Sequence, residues 1–204
     1  MNKATLRLSF LAVLCIAASL LISGCASAPT EEINATKAAV TAAQTDEVRT
    51  YAPEALKASE DTLAKATGEV QTQESKSSFS RDYKAASELL KQAKDEAAKA
   101  TAEAQANKTK TKAEAESLIA GLATQLANAK QALATAPKGK DTKAELEALQ
   151  NDLKSADEAA AAASTAMSQE KYMDALGQAK TAKDKADGVI AQVTAAKEKI
   201  KGRK

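Results

Sequence analysis

Tyr83-Lys84-Ala85-Ala86-Ser87-Glu88-Leu89-Leu90-Lys91-Gln92-Ala93-Lys94-Asp95-Glu96-Ala97 is the stretch whose reading decides the fold. Tyr83, Ala86, Leu90, Ala93 and Ala97 step by three and four. Ala100 and Ala104 continue the series, and Phe79 extends it backwards. At 3.6 residues per turn these positions share one face of a helix, with Lys, Gln, Asp and Glu turned away from it. Sustained alternation of threes and fours is the heptad signature of helices packed along a seam.

The same stepping recurs on either side. Upstream it runs through Leu56, Ser59, Leu63, Ala66 and Val70. Downstream it runs through Ala115, Ile119, Leu122, Leu126, Ala129 and Leu133, then from Leu146 to Met167, then from Tyr172 to Ile200. No stretch alternates with period two, so strands are not expected. The fold class read from this is all-α: elongated antiparallel hairpins or a bundle with alanine-rich seams and one long central helix. Helices are expected over 31–49, 54–76, 80–134, 142–167 and 169–201. Pro53 suits the first turn of its helix. Pro137-Lys138-Gly139 marks a turn, after which Thr142 and Glu145 have the spacing of a capping box. Between Ala104 and Ala115 the phase slips and Lys108 and Thr111 fall on the seam, which marks a change of partner helix.

From Tyr83 the pattern Tyr, Ala86, Lys91, Ala93, Lys94, Asp95, Ala97 is matched by Tyr172, Ala175, Lys180, Ala182, Lys183, Asp184, Ala186, with numbers differing by 89 throughout. Leu56, Leu63 and Ala66 correspond to Leu146, Leu153 and Ala156 with one residue of slippage. Two helical hairpins, each with a Tyr-led second helix, are expected, over 31–110 and 111–204. An alanine seam lets helix axes approach closely but buries little. At about 0.8 kcal/mol per CH₂ it is weaker than a leucine seam of equal length. The expectation is a highly helical, modestly stable rod.

The first residues read differently. Lys3 and Arg7 precede an apolar stretch from Leu8 to Ile22, followed by small residues. That is the layout of a secretory signal, too short for a comfortable membrane span. The tetrad Ile22-Ser23-Gly24-Cys25 resembles the bacterial lipobox. The resemblance implies cleavage between Gly24 and Cys25, and a Cys25 that carries S-diacylglycerol and an N-acyl chain. Residues 25–30 become a lipidated linker, and the membrane becomes a partner through the anchor. Ala26 rather than aspartate after Cys25 resembles outer-membrane sorting, with the protein facing the periplasm.

With Lys3 and Arg7 taken from the 29 basic residues, 27 remain against 27 acidic ones. A neutral, evenly mixed chain offers no patch for nucleic acid. It has no histidine, and its second cysteine, Cys15, lies in the leader. The usual catalytic bases and metal ligands are therefore missing, and no catalytic residue, metal site or cofactor is expected. Asp and Glu alternate with Lys, as in Lys183-Asp184-Lys185, which is the pattern of a solvated helix face.

Tyr51-Ala52-Pro53-Glu54-Ala55-Leu56, Leu63-Ala64-Lys65-Ala66 and Asp82-Tyr83-Lys84-Ala85-Ala86 resemble a bacterial lipoprotein family catalogued as domain of unknown function 4398, over residues 31–110. Arg81 stands where that family often has glycine. The likeness implies a helical envelope lipoprotein and no activity. The last residues, Gly202-Arg203-Lys204, resemble the end of Braun-type lipoproteins, whose terminal lysine is joined to peptidoglycan. Lys204 is thus read either as such a linker or as a basic residue complementing a helix dipole. Three roles remain: a structural, tethering or interaction protein of the envelope, a peptide-binding or assembly module, and a peptidoglycan linker through Lys204. Envelope proteins or peptidoglycan would be the further partners.

Overall fold

A computed structural model describes residues 27–138 and 142–201. Six α-helices carry the described chain: α1 Thr30–Ala43, α2 Asp46–Tyr51, α3 Pro53–Glu74, α4 Lys84–Ala134, α5 Lys143–Ser168 and α6 Tyr172–Lys201. A short 3-10 turn, Ser78–Ser80, lies between α3 and α4, and there is no strand among the described residues. The protein is all-α, with one helix of 51 residues.

The expected helix over 31–49 is two helices. Thr45 adopts extended backbone (φ −88°, ψ 159°), and its hydroxyl accepts the Val48 N–H at 3.2 Å. Its side chain thus caps a new helix instead of continuing the old one. Pro53 opens α3, as its missing N–H allows. The expected capping box at Thr142 does not form. The Thr142 hydroxyl donates to the Pro137 carbonyl at 3.3 Å and caps nothing in α5.

Two compact units meet at Gln105 and Ala106, in the stretch where the seam pattern slips. In the first unit α1, α3 and α4 up to Gln105 pack together. Val40, Ala43, Val48, Ala52 and Leu56 bury against Ala97, Ala100 and Ala104. At the other end of these helices, Val70, Tyr83 and Ala86 pack with Ala28 and Ile33. α1 therefore runs parallel to α4, and α3 runs against both. Thr36, buried, adds a hydrogen bond from its hydroxyl to the Leu90 carbonyl at 3.3 Å. Ser59, fully buried in the seam of α3, donates to its own helix at the Leu56 carbonyl.

The second unit uses α4 from Ala106, with α5 and α6. Leu126, Ala129 and Ala136 meet Leu149, Leu153, Ala156, Ala186, Val189 and Val193. Leu122 meets Ala159, Ala163, Ala179 and Ala182, and Ala115 meets Ala166, Ala175 and Leu176. The topology is the same, with the first and third helices parallel and the second antiparallel. In both units the innermost side chains are alanines: Ala86, Ala93, Ala100 and Ala104 in one, Ala175, Ala179, Ala182 and Ala186 in the other. An alanine seam gains little apolar area per turn, so intrinsic helicity carries much of the stability.

Candidate functional site

Gly24, Cys25 and Lys204, the residues singled out in the sequence, lie outside the described residues. What is described begins two residues after Cys25, and Ala28 is already packed on Val70, Tyr83 and Ala86. The chain that would leave a lipidated Cys25 thus enters the first unit at the end where α3 stops and α4 starts.

That end is formed by the connection from Ser75 to Tyr83. α3 stops at Glu74, and the serine-rich run Ser75, Ser77, Ser78, Ser80 favours local side-chain turns over helix. Ser80 N–H bonds the Ser77 carbonyl at 2.9 Å. Arg81 reaches back, donating from Nε to the Lys76 carbonyl at 3.0 Å and from Nη2 to the Glu74 carbonyl at 2.9 Å. It satisfies a carbonyl that the helix end leaves open. Buried Gln73 accepts the Asp82 N–H at 3.0 Å and the Lys76 ammonium at 3.0 Å on Oε1, while its amide donates to Glu69 at 2.7 Å. Asp82 then accepts the Lys84 N–H at 2.9 Å and starts α4.

Phe79, expected on the seam, is instead 84% exposed at the tip of this connection. The serines end the helical phase before it, so the three-and-four step from Phe79 to Tyr83 has no helix beneath it. The helix expected from residue 80 starts at Lys84.

Each unit also has a surface groove between its parallel helices. In the second unit it encloses about 670 Å³ over Leu118, Leu122 and Leu176, with Lys110, Lys180 and Lys183 at its edges. In the first it encloses about 480 Å³, with Glu32, Thr36, Lys91 and Lys94 among its walls. Lys91 and Lys94 correspond to Lys180 and Lys183 in the repeated pattern. The floors differ, because Leu176 has Ser87 at the matching place in the repeat and no residue like Leu118 lines the first groove. The seam reading missed Leu118 and Leu176, which adjoin the seam residues Ile119 and Ala175 and widen the apolar stripe. Their adjacency was the available signal.

Charge on the helix faces is mostly paired within one helix. Lys57 and Asp61 meet at 2.8 Å, Lys110 and Glu114 at 3.9 Å, and Lys112 and Glu116 at 3.9 Å. Between helices, Lys130 meets Asp157 at 3.0 Å and Lys185 meets Asp152 at 3.3 Å. The hydrogen bond that Lys57 donates to Asp61, then the Asp61 charge, raises the Lys57 ammonium above the ordinary 10.5, and Asp187 does the same for Lys183. Both lysines stay charged at neutral pH, which suits a solvated face and not a base or nucleophile. Among the described residues no cluster of carboxylates could hold a metal ion, and no helix is long and apolar enough to cross a membrane. Comparison with known proteins found no matching family model, no similar curated protein and no similar solved structure.

Proposed function

We propose that this chain is a lipid-anchored protein of the bacterial envelope, with a structural, tethering or protein-interaction role and no catalytic activity. The observation that carries this reading is the tetrad Ile22-Ser23-Gly24-Cys25 after a short apolar leader. Its geometry is consistent with the fold. Pro29, just before the first turn of α1, is four positions along the chain from Cys25, a reach of at most about 15 Å. Acylation at Cys25 would hold the first unit against the lipid surface, with the outer membrane and its periplasmic face as the favoured site. Even charge on the helix faces and the missing histidine support a non-catalytic role.

Growth with labelled palmitate tests the reading. The wild-type chain should incorporate label and sediment with membranes, and Cys25→Ala should do neither. Wild-type protein without acyl groups and free in the soluble fraction would end the proposal. A second reading, peptide binding, draws on the groove of the second unit, where Leu118, Leu122 and Leu176 offer apolar surface to the face of an amphipathic helix.

A further inference from the structure

We infer that Phe79 is a second membrane contact, inserted into the lipid surface beside the acylated Cys25. The inference rests on the lipid-anchored reading and adds to it an orientation for the first unit. Phe79 is the sole phenylalanine after the leader, whose own is Phe10. It stands 84% exposed while the residues around it are held in place. Arg81 ties the connection to the Glu74 and Lys76 carbonyls, and Gln73 holds the Asp82 N–H. An apolar ring on a fixed support is presented outward, not left loose.

Its position selects the partner. Ala28 and Ile33 pack on Val70, Tyr83 and Ala86, the end of the unit from which the Phe79 connection projects. Ala28 is three residues from Cys25, so the lipidated cysteine can lie no further than about 11 Å from it. The same end therefore holds the anchor's attachment and the exposed ring. The second unit gives an internal comparison. At the matching connection between α5 and α6 the chain reads Gln169-Glu170-Lys171, all polar, and the apolar side chain just beyond it, Met173, is 49% exposed against 84% for Phe79. The exposed aromatic ring occurs in the unit that carries the anchor, whereas Tyr172 of the second unit is buried.

Charge decides how the contact works. Lys76, Arg81 and Lys84 at this end are offset by Glu31, Glu32, Glu74 and Asp82. There is no net attraction to anionic headgroups, so the contact depends on burying the ring among acyl chains and carbonyls. Tethering makes the step intramolecular, so the ring meets the bilayer at high effective concentration. The contact should be as strong on zwitterionic as on anionic bilayers and insensitive to salt.

The chain has no tryptophan, so one introduced ring reports alone. Phe79→Trp and, separately, Gln169→Trp are made in the full acylated chain purified from bacterial membranes. Each is reconstituted into phosphatidylcholine vesicles with brominated acyl chains, with and without phosphatidylglycerol. The mass of the Cys25 peptide is read on the same samples. The expected result is a blue-shifted emission from Phe79→Trp, quenched at least twofold by bromine in both lipid mixtures, and no quenching of Gln169→Trp. Acylated, vesicle-bound protein with Phe79→Trp unquenched, or quenched no more than Gln169→Trp, overturns the contact and leaves the anchor standing. A Cys25 peptide without acyl groups overturns both. Helicity unchanged in Phe79→Trp, which follows from the exposure of the ring, ties either outcome to the surface and not to unfolding.

Discussion

Tyr83 and Tyr172 hold equivalent stations 89 residues apart, 6% and 7% exposed, each at the start of the last helix of its unit. Each closes the end of an alanine seam: Tyr83 stands over Val70 and Ala86, and Tyr172 lies one turn before Ala175. The Lys112 ammonium sits 5.7 Å from the centre of the Tyr172 ring, a cation–π contact. In a chain whose inner side chains are mostly methyl groups, one ring is a large share of the buried area of a unit. Tyr83→Ala and Tyr172→Ala should each destabilise by about 3 kcal/mol, the lower range for removing a buried ring. Phenylalanine at either position should be close to neutral. Each alanine variant should mainly speed hydrogen exchange in its own unit, seen by peptide mass spectrometry. Equal loss in both units would show that they unfold as one body.

Glycine sits where these helices have no need of it and is missing where one is needed. Gly68, Gly121, Gly177 and Gly188 are inside helices, and a Cβ at any of them would meet open space. Each alanine replacement should stabilise by about 0.5–1 kcal/mol through lost freedom of the unfolded chain. Between α5 and α6 the reverse holds. Glu170 has φ 59°, and the turn is closed by Lys171 N–H to the Ala166 carbonyl at 3.0 Å and Glu170 N–H to Met167 at 3.1 Å. That is the Schellman pattern with a glutamate at the left-handed position glycine favours. Glu170→Gly should raise stability by about 1 kcal/mol. Urea unfolding of the single variants and their combination checks both signs.

The seam was legible because Ala, Leu and Val at threes and fours leave a helix one face to bury. The recurrence at Tyr83 and Tyr172 was legible because residue types repeat at one spacing. What escaped was set by polar side chains whose choice depends on tertiary position. Thr45 is a tolerable interior helix residue until its hydroxyl takes the Val48 N–H, and nothing nearby in sequence forces that choice. Apolarity alone puts Phe79 on the seam. The four serines around it and the reach of Arg81 to Glu74 decide otherwise. At Thr142 the spacing of a capping box was present, but the Pro137 carbonyl took the hydroxyl. The grooves depend on which helices lie side by side, and a face-by-face reading of single helices does not supply that.

Alkaline pH should weaken the helix faces and mild acid should not touch the lysine pairs. The Lys57 and Lys183 ammonium groups are raised above 10.5 by the hydrogen bonds they donate to Asp61 and Asp187 and by the charge of those carboxylates. A raised lysine stabilises the fold fully below the unfolded value and loses that contribution as pH climbs through the folded one. The melting temperature of the wild type relative to Lys57→Met/Lys183→Met should thus hold steady from about pH 6 to about pH 9, a range in which no histidine titrates. The gap should close above pH 10.5, the ordinary lysine value. Both pairs are on open helix faces, so added salt at neutral pH should narrow the gap as well. A gap that widens with alkali would contradict the sign.

Gln73 decides whether the tip that carries Phe79 keeps its shape. Its buried amide holds three partners: Glu69 through Nε2, and the Asp82 N–H and Lys76 ammonium through Oε1. Gln73→Ala removes the acceptor and leaves the Asp82 N–H without it, which should lower stability by about 1–3 kcal/mol. Gln73→Glu keeps the acceptor but sets two carboxylates at i and i+4 against each other, with a smaller loss expected near pH 7. The decisive measurement is hydrogen exchange at the Asp82 amide. It should quicken in Gln73→Ala well beyond the rest of α4 and remain slow in Gln73→Glu. If Asp82 exchanges at the same rate in Gln73→Ala as in the wild type, the connection is held by the Arg81 bonds alone, and Arg81→Met becomes the variant that releases the tip.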